Sequence, residues 1–94
     1  MFVVLLKFAD KSKAGAQMEG HKVWLQQGFD DGVFSLAGSL QPNLGGGIVA
    51  YNTTLEALQV RVNEDPFVVE GVVTAEILEI TPARSDERLA FLAA

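Results

Sequence analysis

The sequence predicts an α+β fold with a four-stranded antiparallel sheet and two helices on one face of that sheet. Short apolar runs and amphipathic stretches follow one another in the order strand, helix, strand, strand, helix, strand. The 94 residues suffice for one hydrophobic core but not for two. Hydrophobic residues make up 49% of the chain, so we expect some apolar surface to meet a partner.

The first half of the chain predicts a buried strand followed by an amphipathic helix. Phe2–Phe8 is apolar on both alternating faces, which is typical of a central strand. Asp10 or Ser12 can cap a helix that runs to about Asp30. Apolar positions three or four residues apart place one stripe of that helix toward the sheet. This stripe contains Met18, His21, Leu25 and Phe29, with Trp24 and Gly28 adjoining it.

The second half predicts a hairpin, a second helix and a last strand. Residues 33–40 and 47–52 form the hairpin strands, and residues 72–81 form the last strand. Thr53 and Glu56 have the spacing of a capping box. The helix that they open carries a stripe that ends on Asp65, just before the helix-breaking Pro66. Its members are Leu55, Leu58 and Val62.

This order is the split βαβ pattern of ferredoxin-like folds, βαββαβ, which we place in a domain at residues 1–82. Both helices then cover one sheet face, and the open face favours a face-to-face homodimer. Residues 83–94 form a C-terminal tail with a short helix at 86–92, capped by Ser85. Its apolar residues can pack on a neighbouring subunit and build higher homo-oligomers: Leu89, Phe91 and Leu92.

Composition excludes several classes of function. Seven basic residues against 12 acidic ones give a net charge of −5 without a basic cluster, which argues against nucleic-acid binding. The chain has no cysteine, and its one histidine stands among scattered carboxylates, so we expect no metal. No apolar run approaches the roughly 20 residues of a membrane span, and no export signal is visible. A cytoplasmic protein is the expectation.

His21 and Asp65 are the candidate catalytic residues. Each lies on the inner stripe of its helix, and the two helices lie over the same sheet face, so the side chains can converge. A carboxylate beside an imidazole fixes the ring tautomer and stabilises the imidazolium, which suits acid/base catalysis. The alternatives are a structural histidine satisfied by the backbone and an aspartate that caps a turn before proline.

Four further residues are candidates for substrate binding. Ser39 offers a hydroxyl, and the neighbouring Gly38 leaves room for a ligand to approach the second strand. Trp24 and Phe67 could stack on a cyclic or aromatic ligand, although such aromatics more often anchor a core or an interface. Residues 45–47 are three glycines without the Lys-Ser/Thr of a phosphate loop, and we interpret them as a turn.

Three segments together resemble the YciI-like (YCII-related) family. They are the helix with His21, the strand at residues 32–39 (GVFSLAGS), and the corner Asp65-Pro66-Phe67 that leads to Gly71-Val72. The resemblance implies a dimeric α/β-barrel fold, similar to muconolactone isomerases, with a His-Asp dyad at His21 and Asp65 and a pocket position at Ser39. The family's histidine often follows an arginine, whereas Gly20 precedes His21 here, so substrate recognition can differ.

The residues and the resemblance together favour a small cofactor-independent enzyme. His21, oriented by Asp65, would drive an isomerisation, elimination or dehydrochlorination-type reaction on a small cyclic or aromatic metabolite. The main alternative is a non-catalytic module for small-molecule binding or oligomeric assembly, in which the dyad is structural. A haem- or oxygen-using monooxygenase has only the shared fold in its favour.

Overall fold

The structure, a computed structural model, describes residues 1–93, so the last residue of the predicted tail lies outside it. Short 3₁₀ turns occupy Lys11–Lys13 and, near the C-terminal end of the described chain, Glu87–Ala93. No helix in residues 1–93 has the length and apolar character needed to cross a membrane. The main elements are β1 (Phe2–Phe8), α1 (Ala14–Asp30), β2 (Phe34–Leu40), β3 (Gly45–Ala50), α2 (Leu55–Asn63), α3 (Pro66–Val69) and β4 (Val73–Glu79).

The four strands form one antiparallel sheet in the order β2-β3-β1-β4. This is the predicted ferredoxin-like arrangement, with β1 as a central strand. Phe2, Val4 and Leu6 of β1 are at most 5% exposed and lie in the core with helix residues such as Leu58 and Val62. Because side chains alternate along a strand, the helices cover one face and leave the other open.

Two glycines of α1 let neighbouring segments approach the helix closely. A Cβ atom at Gly28 would overlap the ring of Phe34, the first residue of β2. A Cβ atom at Gly20 would lie 3.0 Å from Cγ of Pro66, the first residue of α3. The glycines therefore allow β2 and α3 to pack against α1 at a distance that larger residues would prevent.

The prediction of the elements was right in outline and wrong in four details. β3 begins at Gly45, so the glycine run belongs to a strand and not to a turn. Thr54, whose hydroxyl accepts from the amide of Ala57, caps α2 in place of Thr53. Asp86, not Ser85, accepts an amide hydrogen bond in the tail, from Arg88. The short helix α3 was not predicted, because four residues are too few for a periodic pattern.

The burial pattern of α1 also differs from the predicted stripe. Trp24 and Gly28 are buried, whereas Met18 and Phe29 are 37% and 38% exposed. The buried line is therefore shifted by one residue at its C-terminal end. In α2, Leu58 and Val62 are fully buried, while Leu55 is 43% exposed. The helix begins at Leu55, and its first turn extends beyond the core.

An ion pair joins the end of α1 to α2. Arg61 donates to Oδ2 of Asp31 at 2.9 Å, and its carbonyl oxygen accepts a hydrogen bond from the indole nitrogen of Trp24 at 2.8 Å. The hydrogen bond from Arg61 holds the pKa of the Asp31 carboxyl below its usual value. The two helices are thus tied together near the C-terminal end of α1.

Gly28→Ala tests whether the close approach of Phe34 sets the position of β2. Glycine to alanine usually stabilises a helix by up to about 1 kcal/mol. Here we expect a loss of about 1–3 kcal/mol in the free energy of unfolding, because the new methyl group overlaps the Phe34 ring. Chemical denaturation of the variant and of the wild type measures this difference. Gly15→Ala is the control, since nothing lies within 4 Å of its Cβ, and an equal gain in both variants would contradict the expectation.

Candidate functional site

The corner at Asp65 is built by helix-capping chemistry. Asp65 is the N-cap of α3, with extended backbone angles, and Pro66 occupies the first turn, where its missing N–H is not needed. Oδ1 of Asp65 accepts a hydrogen bond from the amide of Phe67 at 3.0 Å. The sequence Asp-Pro-Phe therefore starts α3 almost directly after α2 ends at Asn63. The capping role that was an alternative at the sequence level is real.

The same carboxyl oxygen also holds the histidine. Nδ1 of His21 lies 2.8 Å from Oδ1 of Asp65, so the two candidate catalytic residues are in contact. The His21 side chain is 16% exposed, and that of Asp65 is fully buried. An ionised carboxylate only accepts, so Nδ1 of the neutral ring carries the hydrogen. The other ring nitrogen, Nε2, is then the one with a free lone pair.

Aromatic rings fix the plane of the imidazole. The Phe67 ring is nearly parallel to it, at an angle of 4° and a centroid separation of 4.0 Å. Trp24 lies further away, at 5.8 Å and 28°. Since the Phe67 amide also binds Asp65, this one residue orients both members of the pair. A stack of this kind is an attractive contact for a neutral imidazole ring, and also for an imidazolium.

Oδ2 of Asp65 has no hydrogen-bond partner within residues 1–93, although it is buried. An unpaired buried carboxylate oxygen costs free energy. A side chain that only capped α3 could sit at the surface, as Asp10 does on the first 3₁₀ turn. The burial of Asp65 is thus more than its capping role requires.

A cavity of about 320 Å³ opens beside His21. Its lining is mostly apolar, with His21 and Ser39 as the polar side chains. Gly38 lines it through its backbone. Its apolar side chains include Leu6, Phe8, Met18, Leu25 and Phe67. A few polar groups in an apolar pocket are typical of a small-molecule site.

Two of the predicted residues have other surroundings. Trp24 is absent from the cavity lining, since its 8% exposed ring packs edge-on against Phe34 and its nitrogen is bound to Arg61. It is a core residue, and the prediction that it contacts a ligand has no support in this geometry. Phe67 lines the cavity, but its ring face is covered by His21. It can meet a ligand with its edge but not stack on it with that face.

Other residues of the cavity were not predicted. Leu6 and Phe8 were assigned to the core strand, and Gly46 was assigned to a turn. Register arguments could have found them, because a strand that faces a helix with His21 must present alternate residues to the same space. Within the described chain, no three metal-binding side chains come close enough together to hold an ion.

The comparisons with known proteins bear on the fold. No model of a known family matches the chain, and no curated protein matches it in sequence. One solved structure that matches is 5-chloro-2-hydroxyhydroquinone dehydrochlorinase (TftG) from Burkholderia phenoliruptrix AC1100, in complex with 2,5-dihydroxybenzoquinone. The TM-score is 0.62 at 10% sequence identity, over 85% of this chain and 93% of that chain.

This chain shares the fold of that dehydrochlorinase. The predicted α+β ferredoxin-like fold is therefore confirmed. An identity of 10% shows the fold alone, so membership of the YciI-like family stays a prediction.

Asp65→Ala tests the contact through the tautomer of the one histidine in the chain. In the wild type we expect the neutral ring to carry its hydrogen on Nδ1, because Oδ1 accepts there. Without the carboxylate we expect a mixture of both tautomers, and a loss of about 0.5–2 kcal/mol in stability from the missing cap. Nitrogen-15 NMR of the ring distinguishes the forms.

The control for this experiment is Asp86→Ala. Asp86 also accepts a backbone amide at the start of a helical turn, but it is exposed and remote in sequence from His21. It should leave the ring spectrum unchanged. The same tautomer in wild type and Asp65→Ala would show that Asp65 does not orient the ring.

Proposed function

We propose that this protein is a small enzyme that moves a proton on a small cyclic or aromatic metabolite, with His21 as the base and Asp65 as its orienting partner. The observation that supports this most directly is the 2.8 Å contact between the two side chains at the wall of an apolar cavity. It occupies Nδ1 and leaves Nε2 as the free nitrogen of a cavity-lining residue. A general base needs that arrangement.

The proposed chemistry is a proton transfer coupled to a shift of an electron pair. Nε2 takes a proton from a carbon or hydroxyl of the substrate, and the released electron pair forms a new double bond. In an isomerisation the proton returns at another atom. In an elimination, such as a dehydrochlorination, a leaving group departs with an electron pair. Neither route needs a redox cofactor, because the substrate undergoes no net oxidation.

The buried carboxylate supports this chemistry electrostatically. When Nε2 accepts a proton, the ring becomes an imidazolium whose charge faces Asp65 across 2.8 Å. The apolar surroundings strengthen that attraction relative to water. The parallel Phe67 ring adds a favourable contact with the cation. Ser39, on the cavity wall, can donate a hydrogen bond to a substrate oxygen.

His21→Gln tests the catalytic role. Glutamine can still donate to Asp65, but its amide cannot act as a base. We expect turnover to fall about 10²- to 10⁴-fold, the usual contribution of general acid/base catalysis, while the fold is kept. The first substrates to assay are 5-chloro-2-hydroxyhydroquinone, named in the activity of the similar structure, and related hydroxylated rings, by absorbance and chloride release.

Lys22→Gln is the control, because it makes the neighbouring, exposed position neutral without touching the cavity. It should retain wild-type turnover. Undiminished turnover of the same substrate by His21→Gln would refute the proposal that His21 is the base.

The proposal includes a homodimer formed through the open sheet face. This face carries aliphatic residues on all four strands, and Leu36 and Leu78 are 60% and 46% exposed. Lys7 and Glu76 lie on the same face by register, so the surface contains both signs of charge. A two-fold interface must be complementary to itself, which such a surface can be.

Leu36→Lys tests the dimer. A charge within an apolar interface would be buried without a partner, so we expect the mass in solution to fall from dimer to monomer. Analytical ultracentrifugation measures it. Val23→Lys is the matched control, since Val23 is similarly exposed at 68% but lies on α1. A monomeric wild type, or an intact dimer in Leu36→Lys, would contradict the proposed interface.

A second candidate function is a non-catalytic module for ligand binding and assembly. The tail favours it, because Leu89 and Phe91 are each 46% exposed, and the Phe91 ring contacts Tyr51 only edge-on at 5.3 Å. Their exposed apolar surface could serve contacts between subunits. In that case the His-Asp pair would be structural, and His21→Gln would change stability but no reaction.

A further inference from the structure

Three consecutive glycines in β3 stand beside the cavity, and two of them have structural reasons. Gly45 has a φ of +137°, and a Cβ atom there would overlap the carbonyl oxygen of Leu6. A Cβ atom at Gly47 would lie 3.2 Å from the side chain of Leu40, which is a crowded distance. Backbone conformation and packing therefore account for these two positions.

Gly46 has neither reason. Its φ lies outside the left-handed region, and the only heavy atom within 4 Å of a Cβ there is the carbonyl oxygen of Gly38, at an ordinary 3.5 Å. Gly46 is paired with Leu6 and Ser39, so its side-chain direction is that of Leu6, toward the cavity. Neither helix packs on this spot.

A glycine inside a strand weakens the strand, because it adds chain entropy to the unfolded state and packs no side chain. Gly46 carries this cost although a side chain at this position would meet no steric obstacle within the protein. The gain is room, since the space that a side chain would fill is part of the cavity. The part of the cavity wall formed by residues 45–47, here called the floor, is thus peptide backbone without side chains.

We propose that Gly46 is the residue that determines which ligands the cavity accepts, by letting a flat ring lie against the peptide of β3. The inference deepens the proposed function, since it concerns the ligand of the same cavity. A volume of about 320 Å³ is at the small end of the roughly 300–1,000 Å³ range of ligand pockets, which suits a single ring. Ser39, paired directly with Gly46, stands at its edge.

Gly46→Val tests this role, because valine is a favourable strand residue that would fill the space above the floor. We expect thermal stability equal to or above that of the wild type, together with at least about tenfold weaker binding of a flat ring. The probes are 2,5-dihydroxybenzoquinone and catechol, with the puckered cyclohexane-1,2-diol for comparison, measured by ligand-observed NMR. Wild type should bind the flat rings more tightly than the puckered one.

The matched control is Ala75→Val, which adds bulk in the same cross-strand row. Ala75 pairs with Leu6 from the other side of β1, and it is exposed and outside the cavity lining. It should leave binding of the flat rings unchanged.

Several results would overturn the inference. They are unchanged binding by Gly46→Val, no preference for flat rings in the wild type, and no binding of any probe. Loss of folding in both Gly46→Val and Gly46→Ala would show instead that the glycine is structural. Failure of the proposed function has a different signature, because His21→Gln would then keep its turnover whatever the effect at Gly46.

Discussion

The buried carboxylate of Asp65 is the constraint around which the site is organised. One of its oxygens accepts the Phe67 amide, which starts α3, and also contacts Nδ1 of His21 on α1. These two bonds join segments that are 44 residues apart in sequence. Because the rotation of the carboxyl group must satisfy both, the imidazole cannot turn without disturbing the cap. The local chemistry of a helix start thus positions a ring on another helix.

Close packing of α1 against its neighbours makes this geometry possible. The space at Gly20 allows Pro66 to approach, and Pro66 lies between Asp65 and Phe67 in sequence. A larger side chain beside His21 would move α3 away by a few tenths of an ångström. The absence of a side chain at Gly20 is therefore coupled to the packing of the corner. At Gly46 the missing side chain has the opposite consequence, since no neighbouring side chain fills the space that it leaves.

Much of this arrangement could be predicted from the sequence, and the failures have physical causes. The period of the apolar residues gave the strands, the two long helices and the inward direction of His21 and Asp65. The surroundings of Trp24 could not be predicted, because whether an inward aromatic lies in the core or in a cavity depends on how far the next element extends. The glycine run was misread, because turns and strands beside open space both permit glycine.

The two faces of the sheet have different surroundings and different proposed roles. Adjacent residues of a strand point to opposite faces, so Leu5 and Leu6 belong to different environments although they are neighbours. The face with Leu6 carries the helices and the cavity, and the face with Leu5 is open and mostly apolar, with charged residues such as Lys7 and Glu76 on it. A dimer through the second face, as proposed above, would bury the side of β1 and β3 that faces away from the helices. The same two strands would then carry the cavity on one side and the proposed interface on the other.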